Sequence, residues 1–138
     1  MAKSKPLRVV LDTNILISAY VFGGKPGQVN NMVIDKRIIP FISPTLLAEL
    51  TDTLLKKFDF GITRIEQIER IVNRHFNIVY PAKNIDVARD EDDNRVLEAA
   101  VEGKCDYVIT GDIDLLSIGK FKRVKIVTVN QFLDILES

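Results

Sequence analysis

Short apolar runs and helix-spaced apolar residues alternate along the whole chain. Val9-Val10-Leu11 opens the series as a continuous branched run, the pattern of a strand buried on both faces in a parallel sheet. Ile15 to Phe22 reads as a short apolar helix, stopped by Gly23-Gly24-Lys25-Pro26-Gly27, and residues 28–36 read as a second helical piece. Ile38 to Ile42 is the next strand, and its internal Pro40 predicts either a sheet edge or a strand beginning at Phe41. Ser43-Pro44 opens a helix, with Ser as N-cap and Pro in the first turn, and Leu46, Leu47, Leu50, Leu54 and Leu55 form its apolar face.

Phe60-Gly61 ends that helix, and Thr63 to Phe76 repeats Ile65, Ile68, Ile71 and Val72 at helical spacing. Asn77 to Pro81 predicts a short strand, and Pro81 to Ala88 a connector. Val96 to Val101 follows as a helix whose small residues permit close packing. Then come a strand over 107–110, a helix from Ile113 to Ile118, a strand over 126–129, and a last helix capped by Asn130. Strands alternating with helices predict an α/β fold, a three-layer α/β/α sandwich around a mostly parallel sheet. At 138 residues the chain is predicted to be one domain spanning 1–138.

Composition adds little to this and charge adds more. Apolar residues make up 46% and charged residues 28%, which is ordinary for a globular protein. The basic start, Met1 to Arg8, lacks the apolar segment of a secretory signal, and no run is long enough to span a membrane. Cys105 has no partner for an internal disulfide, so a reducing cytoplasm is expected, with the thiol a core residue and not a nucleophile. The only histidine, His75, ends a helix and is given no catalytic role. A net charge of zero is unlike a nucleic-acid binder, yet the chain is +5 over residues 1–84 and −5 over 85–138.

The acidic residues carry the candidate chemistry. Asp12 ends the first strand, with Thr13 and Asn14 behind it, and Thr110-Gly111-Asp112-Ile113-Asp114 repeats that strand-to-carboxylate pattern late in the chain. Ligands in open α/β sheets sit outside the carboxyl ends of strands, so both ends point to one site. Glu49 lies among the leucines of its helix, and Asp90 to Asn94 is the densest acidic run. Carboxylates converging without lysine or arginine repel one another, and a divalent cation relieves that repulsion. Asp12, Glu49, Asp93 and Asp112, with Asp90, Asp92 and Asp114 nearby, offer oxygen alone, which selects Mg²⁺ or Mn²⁺ over zinc and suits phosphate chemistry.

Three rival readings fail on single residues. Asp90-x-Asp92-x-Asn94 begins like a calcium loop, but Arg95 stands at the glycine position and Val101 at the twelfth. An aspartyl phosphatase needs a second Asp where Asn14 stands. A phosphoacceptor domain needs adjacent acids after the first strand and a lysine after the last.

Val10 to Asn14, the helix from Ser43-Pro44 to Glu49-Leu50, Asp90 to Ala100, and Val108 to Leu116 together resemble the PIN-domain family. The likeness runs from residue 8 to about 135 and is greatest to the toxins of toxin–antitoxin systems. It implies a metal-dependent ribonuclease with Asp12, Glu49, Asp93 and Asp112 as its four acids, and Thr13, Asn14 and Thr110 supporting them. Asp114 joins the metal ligands, and Asp90 and Asp92 compete with Asp93 for the third place. RNA is then the substrate, with a cognate antitoxin and a homodimer as further partners. Lys120, Lys122, Arg123 and Lys125 are expected at the crevice rim to hold substrate phosphates, and Glu98 is expected to be a surface acid. The alternative is a non-catalytic RNA- or protein-binding module on the same fold.

Overall fold

A computed structural model describes residues 5–137; the basic start at Met1–Ser4 lies outside the described residues. Among the described residues, six strands form one sheet in the order β3-β2-β1-β4-β6-β5. The central strand β1 (Leu7–Leu11) pairs in parallel with β2 (Ile38–Ile42) on one side and β4 (Tyr107–Ile109) on the other. Val9 and Val10 are fully buried and Leu11 nearly so, as expected of a strand covered on both faces. β3 (Asn77–Ile78) extends the sheet beyond β2, and β6 (Val124–Val127) beyond β4. Only β5 (Lys120–Phe121) is antiparallel, forming a short hairpin with β6 at the edge.

Among the described residues six helices connect the strands, α1 (Thr13–Val21), α2 (Gly24–Ile34), α3 (Pro44–Lys57), α4 (Ile62–His75), α5 (Glu91–Glu102) and α6 (Ile113–Ile118), and α7 (Val129–Glu137) follows the last strand. The chain steps from β1 to β2 to β3 in one direction, then returns past β1 to β4 through α5. Right-handed crossovers therefore put α1 to α4 on one face of the sheet and α5 on the other. Fully buried Ala99 and Ala100 let α5 lie close over β1, β2 and β4. The result is an α/β fold with a mostly parallel sheet flanked by helices. No helix among the described residues is long and apolar enough to cross a membrane.

Three local expectations change. Pro40 sits in β2 between two neighbours, not on an edge strand, and β2 already begins at Ile38. The proline is tolerated because β3 pairs only with Phe41 and Ile42, so at Pro40 the ladder runs on the β1 side alone. The glycine-rich segment does not stop α1 for long: Gly24 to Gly27 forms the first turn of α2, where Pro26 costs no needed hydrogen bond. The last strand ends at Val127, and Thr128, not Asn130, caps α7. The Thr128 hydroxyl accepts from Gln131 N at 3.1 Å while Gln131 Oε1 accepts from Thr128 N at 2.9 Å, a reciprocal capping box.

Candidate functional site

The direction of chain travel reverses between β1 and β4: one strand leads towards β2, the other towards β6. A crevice opens where connections diverge at the carboxyl ends of such strands. Asp12 leaves β1 there, its backbone N–H bonded to Ile109 O at 2.9 Å, and Thr110 and Asp112 leave β4 beside it. Thr110 is fully buried, and its hydroxyl donates to Asp12 Oδ2 at 2.6 Å while accepting from Asp112 N at 3.0 Å. One threonine thus locks the two strand-end aspartates together. Thr13 is also buried, whereas the Asn14 side chain is exposed and reaches Asp12 through its backbone amide alone.

Asp112 is the N-cap of α6 and accepts from Asp114 N at 2.7 Å and Leu115 N at 3.3 Å, which fixes its rotamer. Asp93 enters from the first turn of α5, buried beside these groups. Carboxylate oxygens of Asp93, Asp112 and Asp114 lie within 4.8 Å of one another, and Asp93 Oδ2 is buried without a hydrogen-bond partner. Asp90 and Asp92 are exposed instead, Asp90 serving as the N-cap that accepts from Asp92 N at 3.0 Å. The tightest group is therefore Asp93 with Asp112 and Asp114, and Asp12 adjoins it through Thr110.

Glu49, half-buried on α3, faces the group from across the crevice. Burial pushes its carboxyl up to about 7, with Asp92, Asp12, Asp90 and Asp93 adding repulsion. Asp93 is likewise pushed up to about 7, by burial first and then by Asp112, Asp12, Asp90 and Asp114. Burial raises Asp12 as well, against the pull of the Thr110 hydroxyl. The ion pairs among the described residues, Lys56–Asp52 and Arg95–Glu98, include none of these acids. An unpartnered buried oxygen in an uncompensated cluster of hard oxygen donors fits a divalent cation.

The basic stretch does not reach this site. Lys122 and Arg123 form the turn of the β5–β6 hairpin and line a cavity of about 440 Å³ with Lys104, Cys105 and Asp106. Those residues precede β4, so the turn lies at the opposite end of the sheet from Asp12 and Asp112. Lys125 pairs with Tyr107 at the start of β4, and Lys120 lies beside Lys125 on the edge strand. Closeness to Asp112 in sequence misled here, because α6 and β5 carry the chain back down the sheet. Cys105 is buried in the core, and burial pushes its thiol up to about 12.

Two residues of α5 mattered more than the sequence suggested. Glu98 is buried, not a surface acid: it accepts from Ile85 N at 2.8 Å and pairs with Arg95 Nη2 at 2.8 Å. Asn94 accepts from Val87 N and Ala88 N and donates to Ala88 O, so the helix binds the connector and holds the N-terminal turn that carries Asp93. The available signal was Asn94 and Glu98 at i and i+4, one polar face beneath a loop.

Residues 8–114 match the PIN domain, and the chain belongs to that family. It is a PIN-domain nuclease fold bearing an acidic cluster. The uncharacterized protein MJ1680 of Methanocaldococcus jannaschii is 32% identical over 145 residues, covering 96% of this chain and 93% of that protein. VapBC2 from Rickettsia felis, solved bound to a DNA fragment from its promoter, superposes with a TM-score of 0.58 at 15% identity. That match covers 88% of this chain and 98% of the other. The PIN domain endonuclease Utp24 gives 0.56 at 22% identity, covering 89% and 85%.

Proposed function

We propose that the protein is a metal-dependent endoribonuclease that hydrolyses RNA phosphodiesters at the carboxyl ends of β1 and β4. The observation that carries this reading is the Asp93–Asp112–Asp114 group, with its oxygens within 4.8 Å, and the unpartnered Asp93 Oδ2 among them. These three, with Asp12 braced beside them and Glu49 opposite, would hold Mg²⁺ or Mn²⁺. When bound, such an ion lowers the pKa of a water and neutralises charge on phosphoryl oxygens. Glu49, half-buried across the crevice, would complete the coordination or take the proton from the attacking water. Thr110 keeps Asp12 and Asp112 in register through its single hydroxyl. Attack by water leaves a 5′-phosphate and a 3′-hydroxyl.

The toxin role follows as a narrower part of the same proposal, supported by family membership and the fold likeness to VapBC2. A cognate antitoxin that suppresses cleavage is then the protein partner, and the working unit is a homodimer. The reading is tested by incubating end-labelled single-stranded RNA with the protein in Mn²⁺, in Mg²⁺ and in EDTA. Endonucleolytic products with 5′-phosphates in metal, and none in EDTA, are expected. Intact RNA in every condition, with tight RNA binding retained, would make the protein a binding module instead.

A further inference from the structure

A second concave site opens at the same end of the sheet, beyond the acids. A cavity of about 360 Å³ lies outside the carboxyl ends of β2 and β3, lined by Thr45, Tyr80, Pro81, Asn84, Arg95 and Glu98 among others. β2 adjoins β1, so at the usual strand spacing this mouth is roughly 5–10 Å from the strand carrying Asp12. Thr45 and Glu49 stand at i and i+4 on α3, and Asp93 and Arg95 both belong to α5. The two helices that supply the acidic site thus also wall the cavity.

Its lining is specific in kind. Tyr80 lies in the chain after β3 and just before Pro81, and is 73% exposed at the cavity rim. Arg95 is held by the buried Glu98 carboxylate at 2.8 Å and by Ile85 O at 3.4 Å, while its side chain stays 30% exposed and its buried Nε has no acceptor. Asn84 adds an amide that both donates and accepts. The Glu98 carboxylate is already taken by Ile85 N and Arg95, so the cavity offers chiefly an aromatic face and donors. Proteins recognise unstacked RNA bases in this way, by stacking on aromatic or guanidinium planes and hydrogen bonding along the base edge. Exposed tyrosines scattered over a surface mean little, but this one borders a polar cavity next to a phosphodiester site.

We infer that this cavity is a nucleobase subsite, which stacks on Tyr80 an unstacked base one or two nucleotides from the scissile phosphate, with Arg95 and Asn84 contacting its edge. The inference rests on RNA being the substrate but not on cleavage, so it is tested in EDTA. A single-stranded oligoribonucleotide carrying 2-aminopurine is titrated against wild type, Tyr80→Ala and Tyr80→Phe, alongside an equally charged oligomer with abasic positions. Wild type and Tyr80→Phe should quench the 2-aminopurine and bind the base-containing RNA more tightly than the abasic one. Tyr80→Ala should lose the quenching and about 5- to 150-fold in affinity, the fold-change of a lost base–aromatic stack of about 1–3 kcal/mol. Equal affinities for both oligomers in all three proteins would overturn the subsite, as would full displacement of the RNA by an acidic peptide with no quenching seen. Failure to cut RNA in Mn²⁺ with quenching intact would instead sink the nuclease and leave the subsite standing.

Discussion

Asp106 enters β4 and Asp112 leaves it, so one three-residue strand separates two carboxylates with different fates. At the entering end, Asp106 Oδ2 accepts from Arg8 N at 2.9 Å. The Arg8 side chain lies 4.4 Å over the Phe41 ring and donates to Gly103 O at 2.8 and 3.0 Å. Every charge in that group has a partner, and the surrounding turns add Lys104, Lys122 and Arg123. At the leaving end, Asp12, Asp93, Asp112 and Asp114 gather, and the ion pairs among the described residues give none of them a lysine or arginine. Electrostatics at one end tie strands together; at the other end they oppose folding until something positive binds. Such an uncompensated cluster costs stability, which marks this end of the sheet as the candidate functional site.

The largest effect expected from breaking the acidic end is Asp12→Asn. The amide still accepts from the Thr110 hydroxyl, so the fold should persist and the metal-free protein should be equally or slightly more stable. Cleavage should fall by roughly a hundredfold or more, beyond the 10–100-fold typical of outer-shell partners of a metal site. A variant that lost several kcal/mol in urea unfolding would make Asp12 a structural residue.

At the entering end the outcome should invert. An added Cβ at Gly103 would stand 2.9 Å from the Phe41 ring and 3.1 Å from Cys105 Sγ. Gly103→Ala should therefore cost about 1–3 kcal/mol by overpacking. Asp106→Ala, which strips the acceptor from Arg8 N, should cost about 1 kcal/mol. Both should cleave RNA at the wild-type rate below their melting temperatures. Loss of activity in either would mean that the two ends are coupled.

Metal and pH sharpen the contrast further. A ligand at ten times its Kd stabilises by about 1.4 kcal/mol, a few degrees in Tm, and Mn²⁺ should do so beyond ionic-strength-matched NaCl. Asp12→Asn should lose most of that shift. Glu66→Gln, an exposed acid on α4 away from the site, should keep the shift. Glu49 and Asp93 have folded-state carboxyls near 7, above their unfolded values near 4. Their protonated forms favour folding, so their contribution is full below about pH 4 and is lost as pH rises through about 7. The Mn²⁺-induced rise in Tm should correspondingly grow from pH 5 to pH 8, because the ion binds the deprotonated acids. A metal shift independent of pH would remove both residues from the site.

The smallest effect should come from Lys122→Ala with Arg123→Ala. At the far end of the sheet they would meet only an RNA long enough to run past the crevice. Cleavage of a short oligomer should be unchanged, while long RNA should bind slightly more weakly with a shallower salt dependence. A large loss with the short oligomer would put the RNA path across the basic end.

The fold class was legible along the chain because burial imposes periodicity: Val9 to Leu11 and the leucines of α3 can be satisfied only one way. Asp12 and Asp112 could be paired for the same reason, since parallel strands deliver their carboxyl ends to one edge. What sequence left open was settled by distance in three dimensions. Asp90, Asp92 and Asp93 are nearly equivalent as letters, and helix geometry turns only Asp93 inward, with Asp90 spent as a cap. Glu98 reads as one more acid in a charged helix, and only the packing of the 85–88 connector on α5 buries it. Lys122 and Arg123 are close to Asp112 in sequence and a strand length away in space, because α6 and β5 carry the chain back down the sheet between them. Sequence determines which residues must be buried and which elements they build. Which charged groups meet is decided by the order and direction of strands, through contacts between residues far apart in the chain.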